Sequence, residues 1–239
     1  MAVVDVDIKK LLESGAHFGH KTSRWHPKMA QYIHSKRNGS HIIDLTKTVD
    51  GLETALDFVA GQVAGGKTIL LVGTKRQAQE IILGVANETK QPFVVNRWLG
   101  GMLTNWPTIS SQIKRLKDLE AKMASGELAA KFNKLEVQRF QEEIDHLNEL
   151  YGGIKDMPAR PGAVFVVDVN HDINAIREAR KLNVPVIALV DTNADPSLVD
   201  YAIPCNDDAI RTLQLVADYL KQAIEAGKAK ATKNVDKTE

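Results

Sequence analysis

Five short runs rich in β-branched and apolar residues, at 68–73, 92–95, 163–168, 186–191 and 201–204, recur along this chain of 239 residues. The longer runs are apolar at successive positions, so both faces of such a strand must be covered. Helical patterns separate them at about 50–64, 75–89, 171–182 and 206–226. Strand and helix repeated in this way fit a parallel sheet flanked by helices, so the expected class is doubly wound α/β. Pro185 and Pro204 fall at strand ends, where a sheet tolerates a missing amide donor.

One stretch breaks the alternation. Ile109, Ile113, Leu116 and Met123, then Val137, Phe140, Ile144, Leu147 and Tyr151, recur at steps of mostly three and four. That period, interrupted near Ser125-Gly126, predicts a two-helix antiparallel coiled-coil hairpin, opened by Pro107 and closed by Gly152-Gly153. The expected organisation is a discontinuous α/β domain over 1–106 and 152–226, in which 1–45 forms a basic N-terminal segment. The hairpin occupies 107–151. The tail at 227–239 loses its apolar period and reads as disordered.

Composition is that of a folded globular protein, with 44% apolar and 26% charged residues. The single cysteine, Cys205, excludes an internal disulfide or a cysteine-built metal cluster, and no apolar run reaches the roughly 20 residues of a membrane span. A cytoplasmic protein is expected, with no membrane partner and no stable homo-oligomer. The net charge of +1 conceals a segregation. Residues 14–43 and 89–117 contain no Asp or Glu, yet carry Lys21, Arg24, Lys28, Lys36, Arg37, Lys90, Arg97, Lys114, Arg115 and Lys117. A basic face opposite an acidic one follows. Within the second stretch, 97–106 places Arg97, Trp98 and Trp106 around a glycine pair, on a loop where two large aromatics need a pocket or a partner. Cations and aromatics without acids suit a phosphate backbone.

Residues 61–68 match the phosphate-loop pattern G-x-x-x-x-G-K-[ST], but in the wrong order: a helix precedes the glycines and a strand follows. Gly65-Gly66 is better read as a helix end. The turn at 73–77, with Lys75 and Arg76, does follow a strand and start a helix, so there the phosphate reading is favoured. His17 and His20, with Asp191, Asp195 and Asp207, are candidate ligands for a structural divalent ion, zinc or magnesium. Helix capping is the competing role for Asp195-Pro196 and for 206–208. No nucleophile motif accompanies Asp168 or Asp191, and no catalytic residues are assigned. The rival from another class is an enzyme binding a nucleotide or sugar phosphate.

The segments at 15–20, 25–29, 41–45, 72–75, 97–105, 152–157, 190–193, 195–196 and 206–211 together resemble the bacterial ribosomal protein S2 family, in order over roughly residues 5–226. The resemblance implies a flavodoxin-like sandwich with a helical hairpin, bound to small-subunit ribosomal RNA, working in translation without catalysis and helping to dock the large ribosomal protein S1. His26 stands where the family often has Asn, and Cys205 where Gly is common. The expected RNA-binding residues are Lys21, Arg24, Trp25, Lys28, Lys36, Arg37, Lys75, Arg76, Arg97, Trp98, Lys114, Arg115 and Lys117. They would contact the phosphate backbone with little direct reading of bases.

Overall fold

The computed structural model of the chain describes residues 3–235. Strands β4 (Ile69–Val72), β5 (Phe93–Val94), β6 (Ala163–Val166), β7 (Val186–Val190) and β8 (Tyr201–Pro204) form one parallel sheet in the order β5-β4-β6-β7-β8. Its connecting helices are α2 (Leu45–Ala64), α3 (Gln79–Thr89), α7 (Ile173–Lys181) and α8 (Ile210–Val235). This is the flavodoxin-like strand order, whose topological switch lies between β4 and β6.

Alternation along each strand splits the core into two layers. Ile69, Leu71, Phe165, Ile187 and Leu189 pack with α2, α3 and α8. Leu70, Val72, Val164, Val166, Ala188 and Val190 pack with α7 and the helical insertion. Each aliphatic side chain so buried stabilises the fold by roughly 1.5–3 kcal/mol, which is why both faces had to be apolar. Gly65 caps α2 and Gly66 turns at φ 73°, so the phosphate-loop pattern at 61–68 is indeed a helix end entering a strand.

Sequence periodicity missed the N-terminal architecture. Helix α1 (Ile8–Ser14) is capped by Asp7, and β1 (Phe18–Lys21), β2 (Ile33–Arg37) and β3 (Ser40–Ile43) form an antiparallel sheet in the order β1-β3-β2. Its strands are short, interrupted in register and mostly exposed, so no alternating apolar signal marks them.

The insertion is helical, with a short third helix between the two expected ones. It comprises α4 (Trp106–Ala124), a short α5 (Glu127–Lys131) and α6 (Lys134–Tyr151). Gly126, at φ 73°, starts α5, and a capping box at Asn133 and Glu136 starts α6. Arg115 donates to Glu143 at 2.6 Å and Asn148 to Glu120 at 2.8 Å. The apolar steps of three and four bury Ile113, Leu116, Ile144 and Leu147 in the layer beneath the sheet. The expected disordered tail is also corrected: α8 continues to Val235, through an Ala- and Lys-rich sequence of high helix propensity. Residues 236–239 of that expectation lie outside the described residues.

Where the insertion rejoins the sheet, Gly153 passes so near β5 that an added Cβ would stand 2.2 Å from the Phe93 carbonyl oxygen. Gly153→Ala should therefore lower stability by about 1–3 kcal/mol, read as a shifted urea midpoint with unchanged slope.

Candidate nucleic-acid interface

The N-terminal sheet is pinned to the carboxyl end of β7. The His20 amide donates to Asp191 Oδ1 at 3.2 Å and to Thr192 Oγ1 at 2.9 Å, and the His26 amide donates to the Thr192 carbonyl at 2.7 Å. Segment 14–43 is thereby carried to the same sheet edge from which Arg76, after β4, and Arg97, after β5, emerge. On its central strand Ser40 is paired on one side with Lys21 and on the other with Arg37, which places these two cations on one face. Lys36 lies 6.0 Å from the ring of half-exposed Trp25, whose other neighbour is His41. His41 is fully buried, and burial with the Lys36 charge pushes its imidazole below the ordinary value.

The expected cations divide by accessibility. Lys21, Arg24, Lys36, Arg37, Arg76, Arg97 and Lys114 are exposed and make no ion pair among the described residues. Lys28 pairs with Asp195 at 2.9 Å, Arg115 with Glu143 at 2.6 Å and Lys117 with Asp156 at 2.7 Å. These are exposed pairs that a phosphate can displace at small cost.

Two expected contacts are turned inward instead. Lys75 is only 12% exposed and bonds Asp168 at 3.1 Å, Asp207 at 2.8 Å and Asp208 at 2.8 Å. Burial would lower its pKa, but those bonds prevail and hold the ammonium far above its usual range. The turn after β4 is equally committed, since the Thr74 amide and hydroxyl both donate to buried Asp172. The switch-point crevice, where this fold usually receives a ligand, is filled by the chain's own charges. A phosphate cradle built from the Thr74 amide and Lys75, and with it the nucleotide-enzyme rival, loses its site, while Arg76 of the same turn stays exposed.

Trp98 is the second, with 9% exposure. Its indole Nε1 donates to Glu178 Oε1 at 3.1 Å, as does the Gly101 amide at 2.7 Å. The amides of Leu103 and Thr104 and the Thr104 hydroxyl each donate to Oε2 at 3.0 Å. Trp106 is half-buried and packs in the layer beneath the sheet. Burial alone would raise the Glu178 pKa, but the Thr104 amide, the Trp98 indole and the other amides hold it below its ordinary range. This carboxylate's contribution to stability is therefore complete above about pH 4.5 and is lost as pH falls through the lowered value. Acid titration of Trp98 fluorescence should show that transition, and Glu178→Gln should abolish it.

Of the metal candidates, His20, Asp191 and Asp207 converge, with ligand atoms all within 4.8 Å of one another. His17 and Asp195 do not join them. His17 packs against Phe18 with the rings tilted by 40°, and Asp195 caps the turn Pro196–Leu198, the role its Asp-Pro sequence suggested. Asn206 likewise accepts from the amides of Asp208 and Ala209. His20 Nδ1 lies 3.0 Å from Asp191, and the bond to that carboxylate raises its pKa. Burial and the Asp168 and Asp191 charges push Asp207 up to about 7. One imidazole nitrogen and two carboxylates are a suitable donor set for zinc.

A family model described as ribosomal protein S2 matches residues 11–227. Proteins named small ribosomal subunit protein uS2 align over nearly the whole chain. That of Roseiflexus sp. (strain RS-1) is 50% identical over 93% of this chain and 84% of its own length. That of Solibacter usitatus is 51% identical over 95% and 75%, and that of Chloroflexus aggregans 48% over 93% of both. The chain belongs to the ribosomal protein S2 family. Within this S2-family chain, Glu178 is the residue that sequence reasoning missed. It sits in Arg177-Glu-Ala-Arg-Lys, an ordinary charged helix turn, and no local pattern reveals that four residues of a distant loop converge on it.

Proposed function

We propose that this S2-family chain is a non-enzymatic structural constituent of the small ribosomal subunit that binds its ribosomal RNA through phosphates. The observation that carries the reading is that two acid-free, basic stretches distant in sequence both emerge at the carboxyl edge of one sheet. The contacting set is Lys21, Arg24, Trp25, Lys28, Lys36, Arg37, Arg76, Arg97, Lys114, Arg115 and Lys117, with Lys75 and Trp98 holding the scaffold beneath. Cations of this kind position a protein on RNA without reading its bases. Sedimentation of a lysate tests the assignment: the chain should travel with small subunits, and its appearance only as free protein at every salt concentration would end this reading.

The same proposal gives the chain a protein neighbour, S1. Ile8, Leu12, Phe18 and Ile210 are exposed by 42–62% around α1 and the start of α8, more apolar surface than water favours. Leu12→Glu should weaken capture of S1 without altering RNA affinity.

A divalent ion at His20, Asp191 and Asp207 also belongs to this reading. The buried carboxylates Asp168, Asp191 and Asp207, with half-exposed Asp208, face one lysine and one imidazole, so a cation would balance the excess. Zinc should raise the melting temperature of the purified chain by several degrees, an effect lost in Asp207→Asn. An equal rise in that variant would remove the site.

A further inference from the structure

The loop that presents Arg97 has no regular structure of its own. Between Trp98 and Asn105 its internal backbone bonds are Met102 to Leu99 at 3.1 Å and Asn105 to Gly101 at 2.7 Å. Gly101, at φ 88°, folds the backbone so that successive amides point inward. Converging amides of this kind form an anion-binding concavity. Its occupant here is the Glu178 carboxylate, which accepts five bonds of 2.7–3.1 Å from four loop residues. Glu178 stands on α7, which Ala175, Ile176 and Ala179 fix in the core with no exposed surface. One side chain therefore fastens the loop to a helix packed in the core.

Arg97 is the residue immediately before Trp98. With Trp98 buried and held by the same carboxylate, the backbone from which exposed Arg97 projects is anchored at its next residue. We propose that Glu178 is a positioning residue for RNA binding, a negatively charged group that raises affinity for a polyanion by fixing where Arg97 stands. The proposal rests on the RNA-binding reading above. It also reverses the usual expectation for acids near such an interface, where removing a negative charge strengthens binding.

A double-mutant cycle on the full chain tests it, using a small-subunit RNA fragment and Glu178→Gln, which replaces an acceptor oxygen by an NH2 that meets the loop's donors. Arg97→Ala and Glu178→Gln should each weaken binding about five- to tenfold and reduce the salt slope by about one. The double variant should be no weaker than Arg97→Ala alone, because Glu178 acts through Arg97. Amide exchange at Gly101, Leu103 and Thr104 should accelerate in Glu178→Gln while β6 and β7 stay protected, separating loop release from unfolding. If Glu178→Gln does not fold, Glu178→Asp, one methylene too short to reach, enters the same cycle. Losses that multiply, or tighter binding by Glu178→Gln, overturn the positioning role. An Arg97→Ala variant with unchanged affinity overturns the RNA contact on which it rests.

Discussion

Replacing Lys75 by Met should destabilise the folded chain by about 3–5 kcal/mol, the cost of stranding buried carboxylates when their common cation is removed. The ammonium lies within 3.1 Å of Asp168, Asp207 and Asp208, of which Asp207 is 2% exposed. The size of the effect follows from the asymmetry of such clusters. The assembled group is worth little more than a well-packed apolar one, whereas removing one member leaves the others charged and unsolvated. Urea unfolding in the presence of a chelator, so that no added ion replaces the lysine, measures it. Lys75→Met combined with Asp207→Asn should recover a substantial part of the loss. A single variant within 1 kcal/mol of the parent would mean that water reaches these carboxylates and that the crevice is open after all.

Removing four cations from the N-terminal sheet, by Ala at Lys21, Arg24, Lys36 and Arg37, should weaken RNA binding at least about a hundredfold at 0.1 M salt and reduce the salt slope by about three. All four are exposed and without an ion-pair partner among the described residues, so the contact of Lys36 with the Trp25 ring is the one described interaction lost and the fold should be unaffected. The same substitutions at Lys28, Arg115 and Lys117 should cost less. Each of those cations must first leave a carboxylate, and the stranded acid then faces the RNA. Filter binding across a salt series compares the two sets. A slope unchanged in the first set would remove the N-terminal sheet from the interface.

The central sheet was legible in the sequence because burial on both faces forces continuous apolar runs. All five strands formed where those runs lie. The N-terminal sheet was not, because its strands are four or five residues long, β1 and β2 carry Lys and Arg, and the alternation of β3 buries only His41 and Ile43. For the insertion, apolar steps of three and four marked the helices, and such steps serve a sheet-facing helix as well as a supercoiled pair. Within the candidate site, charge segregation identified the exposed cations. It could not identify Lys75 as an internal counterion, because its carboxylates arrive from β6 and from the loop before α8, more than 90 residues away. Glu178 was invisible for the same reason.

The two ends of the parallel sheet carry one more consequence. An open sheet offers an unpaired edge to any passing strand. Here β5 is two residues long, and the turn Gly152–Ile154 lies against it so closely that Gly153 has no room for a methyl group. At the opposite edge Thr48 of α2 donates to the Pro204 carbonyl at 2.6 Å, while Gly51 brings α2 hard against the Ala202 carbonyl. Both borders are thus sealed within the chain itself. A ribosomal protein made separately from the particle it joins must wait as a free chain, and these closures protect it from edge-to-edge aggregation during that interval.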